Sequence, residues 1–412
     1  MKGWLKTTLG NHVDIITGYP FKSELYTEAE KSIRLLRGDN IIPGSTRWDG
    51  VKYWSLDKVE GLNKYYLNPQ DLIIAMDRVL VSNGLKITII QDEDVPALLV
   101  QRVARLRASK GLDQNFLPYL VMSHRFEQYV KSVQTETAIP HISTQQISDF
   151  PIVLPPLLEQ CRIAEMLGVW DESIDLLERL IGKTRSRKQG LMQQLLTGKK
   201  RFKEFEGSEW KIIVFNQIID KCFDYRGRTP LKIGMEWGDG NIPALSASNV
   251  RMGKIDFDRE CYFASTELYK KWMTQGDLEK GDVLLTTEAP LGTVAQVPDN
   301  ELYILSQRVI AIRPKPELLN KSFLFHSMIS KEFQDELDKN SSGSTAKGIQ
   351  RKRLEKIIIK IPSLPEQEKI AAVLSAADEE ISTLEKQLAA YKQQKLGLMQ
   401  QLLTGKIRVG MI

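Results

Sequence analysis

The stretch Gly190-Leu-Met-Gln-Gln-Leu-Leu-Thr-Gly-Lys199 occurs a second time, letter for letter, as Gly397–Lys406. The likeness continues upstream, where Pro155-Pro-Leu-Leu-Glu-Gln160 corresponds to Pro362-Ser-Leu-Pro-Glu-Gln367. An internal repeat decides the architecture, because each copy predicts the same structural unit. The chain therefore consists of two variable segments, each followed by a repeated segment. The predicted boundaries are residues 1–153, 154–200, 201–361 and 362–412.

Both repeated segments have the spacing of a coiled-coil helix, with apolar residues at alternating intervals of four and three. The residues of this apolar seam that we select are Ile163, Leu167, Ile174, Leu177, Ile370, Leu374, Ile381 and Leu384. Gly198 and Gly405 follow the last leucines, as C-terminal caps do. Gly190 and Gly397 lie inside the seam and indicate either a close approach of two backbones or a tolerated defect. Because duplicated units usually pack with closed two-fold symmetry, we predict that the two helices pair antiparallel.

The variable segments have the pattern of small α/β domains. Asp71-Leu-Ile-Ile and Asp282-Val-Leu-Leu are short apolar runs of strand length, and further runs begin at Gln101-Arg-Val and Gln307-Arg-Val. Helical patterns and loops rich in Gly, Asn and Ser alternate with these runs. The predicted fold class is α+β, with two mixed α/β domains separated by two long helices that form an antiparallel coiled coil, in a pseudo-two-fold repeat.

The composition excludes several classes of protein. Of the 412 residues, 42% are hydrophobic and 26% are charged, which is ordinary for a folded soluble chain. No run approaches the ~18 apolar residues of a membrane span. Cys161, Cys222 and Cys261 are too few and too scattered for a disulfide framework or a zinc site. We expect a cytoplasmic protein with reduced thiols.

The sequence lacks the short motifs of common enzymes. It contains no Gly-x-x-x-x-Gly-Lys-Ser/Thr phosphate loop, no His-Glu-x-x-His, no Cys-x-x-Cys and no Asn-Pro-Pro-Tyr, the tetrapeptide used in adenine methylation. The four histidines share no metal-ligand spacing. We therefore predict a chain without catalytic residues, metal or cofactor.

Positive charge is concentrated in a few places, although the net charge is only +5. The segment Lys183–Lys203 has eight basic residues and no acidic one, and Arg102, Arg105 and Arg107 alternate along a predicted strand. Polar loops beside basic residues can bind phosphates. The alternative interpretation of any single cluster is a charged surface that contacts only solvent. The candidate nucleic-acid contacts are Tyr19, Lys22, Arg78, Arg102, Thr137, His141, Tyr225, Arg226, Arg228, Ser344, Thr345, Lys347 and Arg351.

The repeated order of these parts resembles the specificity subunits of type I restriction–modification systems. The resemblance covers essentially the whole chain and rests on Pro155–Gln160, Gly190–Lys199, their second copies and the loop Gly343-Ser-Thr345. The first variable segment departs from this pattern, because Thr135-Glu-Thr-Ala138 stands where the second has the Gly-Ser-Thr loop. The resemblance implies two target recognition domains. Each would recognise one half of a bipartite, asymmetric sequence in double-stranded DNA, and the paired helices would set the spacing.

The resemblance also implies the partners. Two methyltransferase subunits would dock on the seam helices, and restriction subunits would join the full complex, which acts in phage defence. S-adenosylmethionine, ATP and Mg²⁺ would belong to those partners, so that this chain is expected to be a non-catalytic subunit without cofactors.

Two other hypotheses are open. A stand-alone methyltransferase or nuclease would need the motifs that are missing, and methylation by the purified chain would support it. A chromosome-organising coiled-coil protein would need an ATP-binding head with a phosphate loop. Sequence-independent DNA binding, or none, would support that hypothesis.

Overall fold

The computed structural model describes residues 3–28, 31–343 and 347–409, which divide into two units. The first unit contains the described residues up to Leu177 and those from Gln387 onward, and the second contains the described residues of Glu178–Lys386. Each unit has one α/β domain and part of each of two long helices. A search of the described residues finds no helix that is long and apolar enough to cross a membrane.

The described part of the first domain has thirteen strands, of which seven lie in two main sheets and six in two-stranded sheets. They are β1 (Leu5–Thr8), β2 (Val13–Thr17), β3 (Ser32–Leu36), β4 (Ile41–Ile42), β5 (Ser45–Thr46), β6 (Lys52–Ser55), β7 (Leu72–Ala75), β8 (Leu80–Val81), β9 (Gly84–Leu85), β10 (Ile87–Ile89), β11 (Ala97–Leu99), β12 (Val103–Ala108) and β13 (Pro151–Leu154). Strands β10, β7, β12 and β2, in that order, form an antiparallel sheet. Strands β11, β3 and β6 form a mixed sheet in which β11 and β3 are parallel. The helices are α1 (Leu117–Val121), α2 (His124–Val133) and α3 (Thr144–Ser148), and the long helix α4 (Leu157–Leu195) follows.

The second domain repeats this topology. Its strands are β14 (Lys211–Val214), β15 (Ile219–Asp224), β16 (Ile242–Leu245), β17 (Val250–Arg251), β18 (Lys254–Ile255), β19 (Phe263–Ala264), β20 (Val283–Thr287), β21 (Leu291–Gln296), β22 (Ile304–Leu305), β23 (Val309–Pro314) and β24 (Ile358–Ile361). Its helices are α5 (Phe215–Ile218), α6 (Thr266–Trp272), α7 (Lys321–Ile329), α8 (Lys331–Lys339) and α9 (Arg351–Leu354), followed by the long helix α10 (Leu364–Leu403). The antiparallel order β21, β20, β23, β15 matches the order β10, β7, β12, β2 of the first domain. The mixed sheet β22, β16, β19 likewise matches β11, β3, β6, with the parallel pair in the same place. The predicted duplication of mixed α/β domains is confirmed.

The central strand β7 is apolar at every position because both of its faces are buried. All four residues of β7 are buried, and alternate side chains enter different clusters. Leu72 and Ile74 pack with the helices of the domain, whereas Ile73 and Ala75 pack towards the mixed sheet. A strand covered on both sides has a continuous apolar run instead of an alternating one.

In each domain, a buried aspartate binds an arginine on a neighbouring strand. Arg107 on β12 binds Asp71 through two guanidinium nitrogens, with Nη2 2.8 Å from Oδ2. Arg313 on β23 binds Asp282 in the same way, with Nη2 2.6 Å from Oδ2. Both aspartates are buried, at 2% and 0% exposure. A buried carboxylate needs such a partner, so these two pairs belong to the fold.

The two long helices run antiparallel in each unit. In the first unit, Trp170 early in α4 contacts Tyr391 late in α10, with ring centroids 5.4 Å apart. In the second unit, the late residue Lys188 of α4 lies 2.5 Å from Asp378, an early residue of α10. The predicted antiparallel pairing is therefore confirmed.

Each long helix begins with a glutamate that is bound by an arginine following the end of the other helix. In the first unit Arg408 donates to both carboxylate oxygens of Glu159, at 2.7 and 2.9 Å. In the second unit Arg201 donates to both oxygens of Glu366, at 2.8 and 2.5 Å. Hydrogen bonds from Arg408 lower the pKa of Glu159 despite its burial. In each unit, the ion pair thus joins the start of one long helix to the segment that follows the end of the other.

The glutamine that follows each of these glutamates joins the helix to its α/β domain. The buried side chain of Gln160 accepts from the amide of Asp113 and donates to the carbonyl of Gly111, both at 2.9 Å. Gln367 makes the corresponding bonds to Asn320 at 2.9 Å and Leu318 at 3.0 Å. The repeated Glu-Gln dipeptide is thus a structural joint.

The glycines of the repeat have two different roles. Gly198 and Gly405 adopt left-handed φ values of 70° and 65°, which confirms them as helix caps. At Gly190 and Gly397 an added Cβ would meet no heavy atom within 4 Å. A close approach of two backbones at these positions is therefore wrong, and both glycines are tolerated inside the helices.

We expect Glu366→Gln to lower the free energy of unfolding by about 3 kcal/mol, because it removes one partner of a largely buried ion pair. The side chains of Arg201 and Glu366 are only 16% and 1% exposed. Chemical denaturation of the full chain measures the change. The control is Glu368→Gln, an exposed glutamate in the same turn. Equal stability of the two variants would contradict the assignment.

Candidate nucleic-acid interface

In the first domain, two predicted contact residues bind one aspartate. Asp77 follows β7, and its Oδ1 lies 2.6 Å from Nδ1 of His141. Arg102 donates from Nη1 to Oδ2 of Asp77 at 3.0 Å. Partial burial alone would raise the pKa of Asp77, but the hydrogen bonds from His141 and Arg102 lower it below its ordinary value. Asp77 therefore stays ionised and orients the side chains of His141 and Arg102.

The polar loop before α3 closes against this cluster. The amide of Arg78 donates to the carbonyl of Pro140 at 2.7 Å. Thr137 is exposed, and its hydroxyl donates to the carbonyl of Ile139 at 2.8 Å. The structure thus brings Arg78, Thr137 and His141 together.

The remaining candidates of the first domain are Tyr19 and Lys22. The ring of Tyr19 is 37% exposed and contacts Tyr65 edge-on at 5.4 Å, while its carbonyl accepts from the amide of Gln101 at 3.0 Å. Lys22 is exposed three residues later. A polar cavity of about 830 Å³ adjoins the cluster and has Arg78, Gln101 and Arg102 among its lining residues.

The second domain has an acid and an arginine at the same topological position. Glu288 follows β20, and its Oε1 lies 3.3 Å from Nε of Arg308. Glu288 also forms an isolated bridge with Gly348, as Asp77 does with His141. Sequence reasoning missed Glu288 and Arg308, although the repeated Gln-Arg-Val tripeptide was a signal for the arginine. The backbone conformation that marks the position is not visible in the sequence.

The other candidates of the second domain divide between the surface and the core. Arg226 binds Asp224 with Nε at 2.9 Å and Nη2 at 2.6 Å, and it donates to the carbonyl of Ile349 at 3.1 Å. Lys347 pairs with Asp338 at 2.6 Å, and Arg351 pairs with Glu355 at 2.7 Å. Ser344 and Thr345 lie outside the described residues.

Tyr225 does not belong to the surface. Its ring is only 2% exposed and lies in the core beside Trp272, and its hydroxyl accepts from the amide of Gln275 at 2.9 Å. The predicted contact of Tyr225 with nucleic acid is therefore not available to its buried ring. Arg228 covers the ring from outside, with its guanidinium 5.6 Å from the ring centroid.

A cavity of about 500 Å³ lies at the corresponding place in the second domain. Arg228, Trp237, Tyr262 and Gln307 are among its lining residues. The rings of Trp237 and Tyr262 are stacked, with centroids 5.9 Å apart. The two domains thus place chemically different linings, one charged and one aromatic, on the same framework.

The alternating arginines of β12 do not form one surface patch. Arg107 binds the buried Asp71, and Arg105 is 3% exposed and donates to the carbonyl of Lys64 at 3.0 Å. Only Arg102 of the three is exposed, because it precedes the strand. Arg102 has a left-handed φ of 63°, a conformation that costs about 1–3 kcal/mol for a residue other than glycine.

The residues predicted for the seam pack inside the chain. The first unit buries Ile163, Leu167, Ile174 and Leu177, and the second buries Ile370 and Leu374. The remaining seam residues, Ile381 and Leu384, are half-buried. A docking subunit would instead meet outward residues such as Leu176, which is 63% exposed.

The arrangement suits binding of a polyanion. The described residues contain no group of three or more His, Cys, Asp or Glu side chains that could hold a metal ion. What each domain presents is a set of guanidinium, amide and hydroxyl groups, which are the donors that contact phosphates and base edges.

Comparison with known proteins identifies the family. A family model described as the type I restriction modification DNA specificity domain matches residues 1–183 and again residues 207–391. The type I restriction enzyme MjaVIII specificity subunit of Methanocaldococcus jannaschii is 30% identical over 302 residues, which are 69% of this chain and 68% of that protein. The EcoBI specificity subunit of Escherichia coli is 24% identical over 93% of this chain and 81% of its own length. The crystal structure of the S subunit from M. genitalium has a TM-score of 0.62 at 16% identity, covers 99% of this chain and 97% of its own, and so shows the same fold. The chain belongs to the type I restriction–modification DNA specificity family and is a subunit for DNA sequence recognition.

Proposed function

We propose that this chain is the non-catalytic subunit that selects the DNA target of a type I restriction–modification complex. Each α/β domain, residues 1–153 and residues 201–361, binds one half of a bipartite, asymmetric sequence. The chain works in the cytoplasm with double-stranded DNA. All the candidate contacts named above, apart from Tyr225, are proposed to contribute to this binding.

One observation carries this proposal. The same sheet topology occurs twice, and the corresponding position holds a charged cavity in one domain and an aromatic one in the other. A duplicated framework with two different linings suits recognition of two different half-sites, since base edges differ in their donor and acceptor patterns. A protein that bound only phosphates would not need two different linings, because phosphate contacts carry no sequence information.

The two long helices have a second role in the proposal. Their seam residues hold them together, and their outward faces dock two methyltransferase subunits, to which restriction subunits are added in the full complex. The partners supply the reacting groups and the cofactors S-adenosylmethionine, ATP and Mg²⁺. The length of the paired helices sets the gap between the half-sites.

The test is a map of methylated adenines in DNA from cells that express this chain with its methyltransferase subunit. We expect methylation at one split, non-palindromic sequence, and none there when the chain is omitted. The purified chain alone, incubated with DNA and S-adenosylmethionine, serves as the control and should methylate nothing. Methylation at a continuous palindrome, or independent of the chain, would overturn the proposal.

A further inference from the structure

A left-handed arginine lies at the same place in both domains. Arg102 has a φ of 63° and Arg308 a φ of 65°, and each stands immediately before the first residue of a buried strand, β12 or β23. In each domain a three-residue link joins the parallel strand of the mixed sheet to the antiparallel sheet, and the arginine is its last residue. Glycine adopts this conformation without strain. The presence of arginine at both links indicates that its side chain is needed there.

The backbone hydrogen bonds of the two arginines also correspond. The carbonyl of Arg102 accepts from the amide of Met76 at 2.9 Å, and that of Arg308 accepts from the amide of Thr287 at 2.8 Å. The next residue in each case is the acid that binds the guanidinium, Asp77 or Glu288. The acid is therefore fixed by the central strand at the point where the arginine leaves the sheet.

These ion pairs differ from the buried ones that stabilise the sheets. The side chains of Arg102 and Arg308 are 68% and 53% exposed, whereas that of Arg313 is 14% exposed. An exposed ion pair adds little to stability. The strained backbone and the paired acid thus hold a guanidinium at the surface without a matching gain for the fold.

The carboxylate determines which ligand suits this guanidinium. A phosphate that approaches Arg102 also approaches the negative charge of Asp77, and the same holds for Arg308 and Glu288. The major-groove edge of guanine has two acceptors, N7 and O6, without a formal charge, and the fork of an arginine matches them. The pair of acid and arginine therefore favours a guanine edge over the DNA backbone.

We infer that Arg102 and Arg308 each recognise a guanine in the major groove, one in each half-site, and that Asp77 and Glu288 are the positioning residues that hold them. This inference rests on the proposed function and adds to it the chemistry of the ligand. Each half of the target sequence then contains a G·C pair. The two guanines are recognised independently, because each arginine and its acid belong to one domain.

The first experiment uses the complex of the full chain with its methyltransferase subunit and duplexes that carry the methylated sequence. Replacing the recognised G·C pair of one half-site by A·T should weaken binding of the wild-type complex about 10- to 100-fold. A duplex with 7-deazaguanine, which lacks N7, should lose part of that affinity.

In Arg102→Gln, discrimination should disappear in one half-site and persist in the other, and Arg308→Gln should give the reverse. The unaffected half-site shows that each variant is folded and assembled.

Further variants separate base recognition from charge. Arg102→Lys and Arg308→Lys keep the positive charge but not the fork, so that guanine discrimination should fall while the salt dependence of binding stays. Asp77→Asn and Glu288→Gln should reduce the discrimination and strengthen binding to unrelated DNA, because the carboxylate no longer opposes phosphates. The controls are Lys131→Gln and Lys331→Gln, which remove a cation from exposed ion pairs on α2 and α8. These variants should change neither the guanine discrimination nor the binding to unrelated DNA.

The outcomes distinguish this inference from the proposed function. If the wild-type complex shows no split target sequence, the proposed function itself fails. If the split sequence exists but one half lacks a G·C pair, the guanine assignment is overturned. Full discrimination in the lysine variants would likewise overturn it, because a phosphate contact would then suffice.

Discussion

Exchange of residues 1–153 for the first domain of another type I specificity subunit should change one half of the methylated sequence completely and leave the other half unchanged. The reason is that the first domain has its own sheets and its own charged site, built around Asp77 and Arg102. The second domain has separate clusters of buried residues and its own site around Glu288 and Arg308. Mapping of methylated adenines in cells that carry the chimera measures the result.

The joint between domain and helix makes this exchange practicable. Gln160 binds the backbone of Gly111 and Asp113, so that these contacts do not depend on which side chains the new domain has there. A side-chain contact, the 2.8 Å bond from Tyr119 to Asp171, has to be kept or restored in the chimera. The reciprocal exchange of residues 201–361 is the matched control and should change only the other half. A change of both halves in either chimera would contradict independent domains.

The parts of the fold that depend on local spacing could be predicted from the sequence. The helix seam and the caps at Gly198 and Gly405 follow from short-range periodicity, and the duplication follows from the repeated sequence segments. The order of the strands could not be predicted, because the pairing of β12 with both β7 and β2 joins residues far apart in the chain. Spacing also could not separate the exposed Arg102 from Arg105 and Arg107, since burial depends on where the strand begins.

The candidate site could be predicted only in part, because burial and side-chain contacts again depend on the three-dimensional fold. His141 and Arg102 were selected for their charge and their loops, and the structure joins them through Asp77, an acid that a search for positive charge passes over. Tyr225 was selected because it stands beside arginines, yet the strand before it turns its ring into the core. A residue type and its neighbours indicate possible chemistry, whereas the three-dimensional fold decides which side chains are exposed.

Duplication of one heptad in each long helix should lengthen the gap between the half-sites and leave both half-sites unchanged. The duplicated residues are 171–177 in α4 and 380–386 in α10, near the boundary of the two units, and each copy contains two seam residues. Seven residues add about 10 Å to a helix, which corresponds to about three base pairs of duplex DNA at roughly 3.4 Å per base pair. A whole heptad preserves the apolar seam, so the added turns pack as the existing ones do.

The same methylation map measures the gap, and two single duplications serve as controls. A heptad added to α4 alone leaves α10 without matching residues, so that ion pairs such as Lys188–Asp378 lose their register. We expect such a chain to be less stable and to show no longer gap. If the double duplication were stable and methylated DNA with an unchanged gap, the helices would not set the spacing, and the separation of the half-sites would have to arise from the partner subunits.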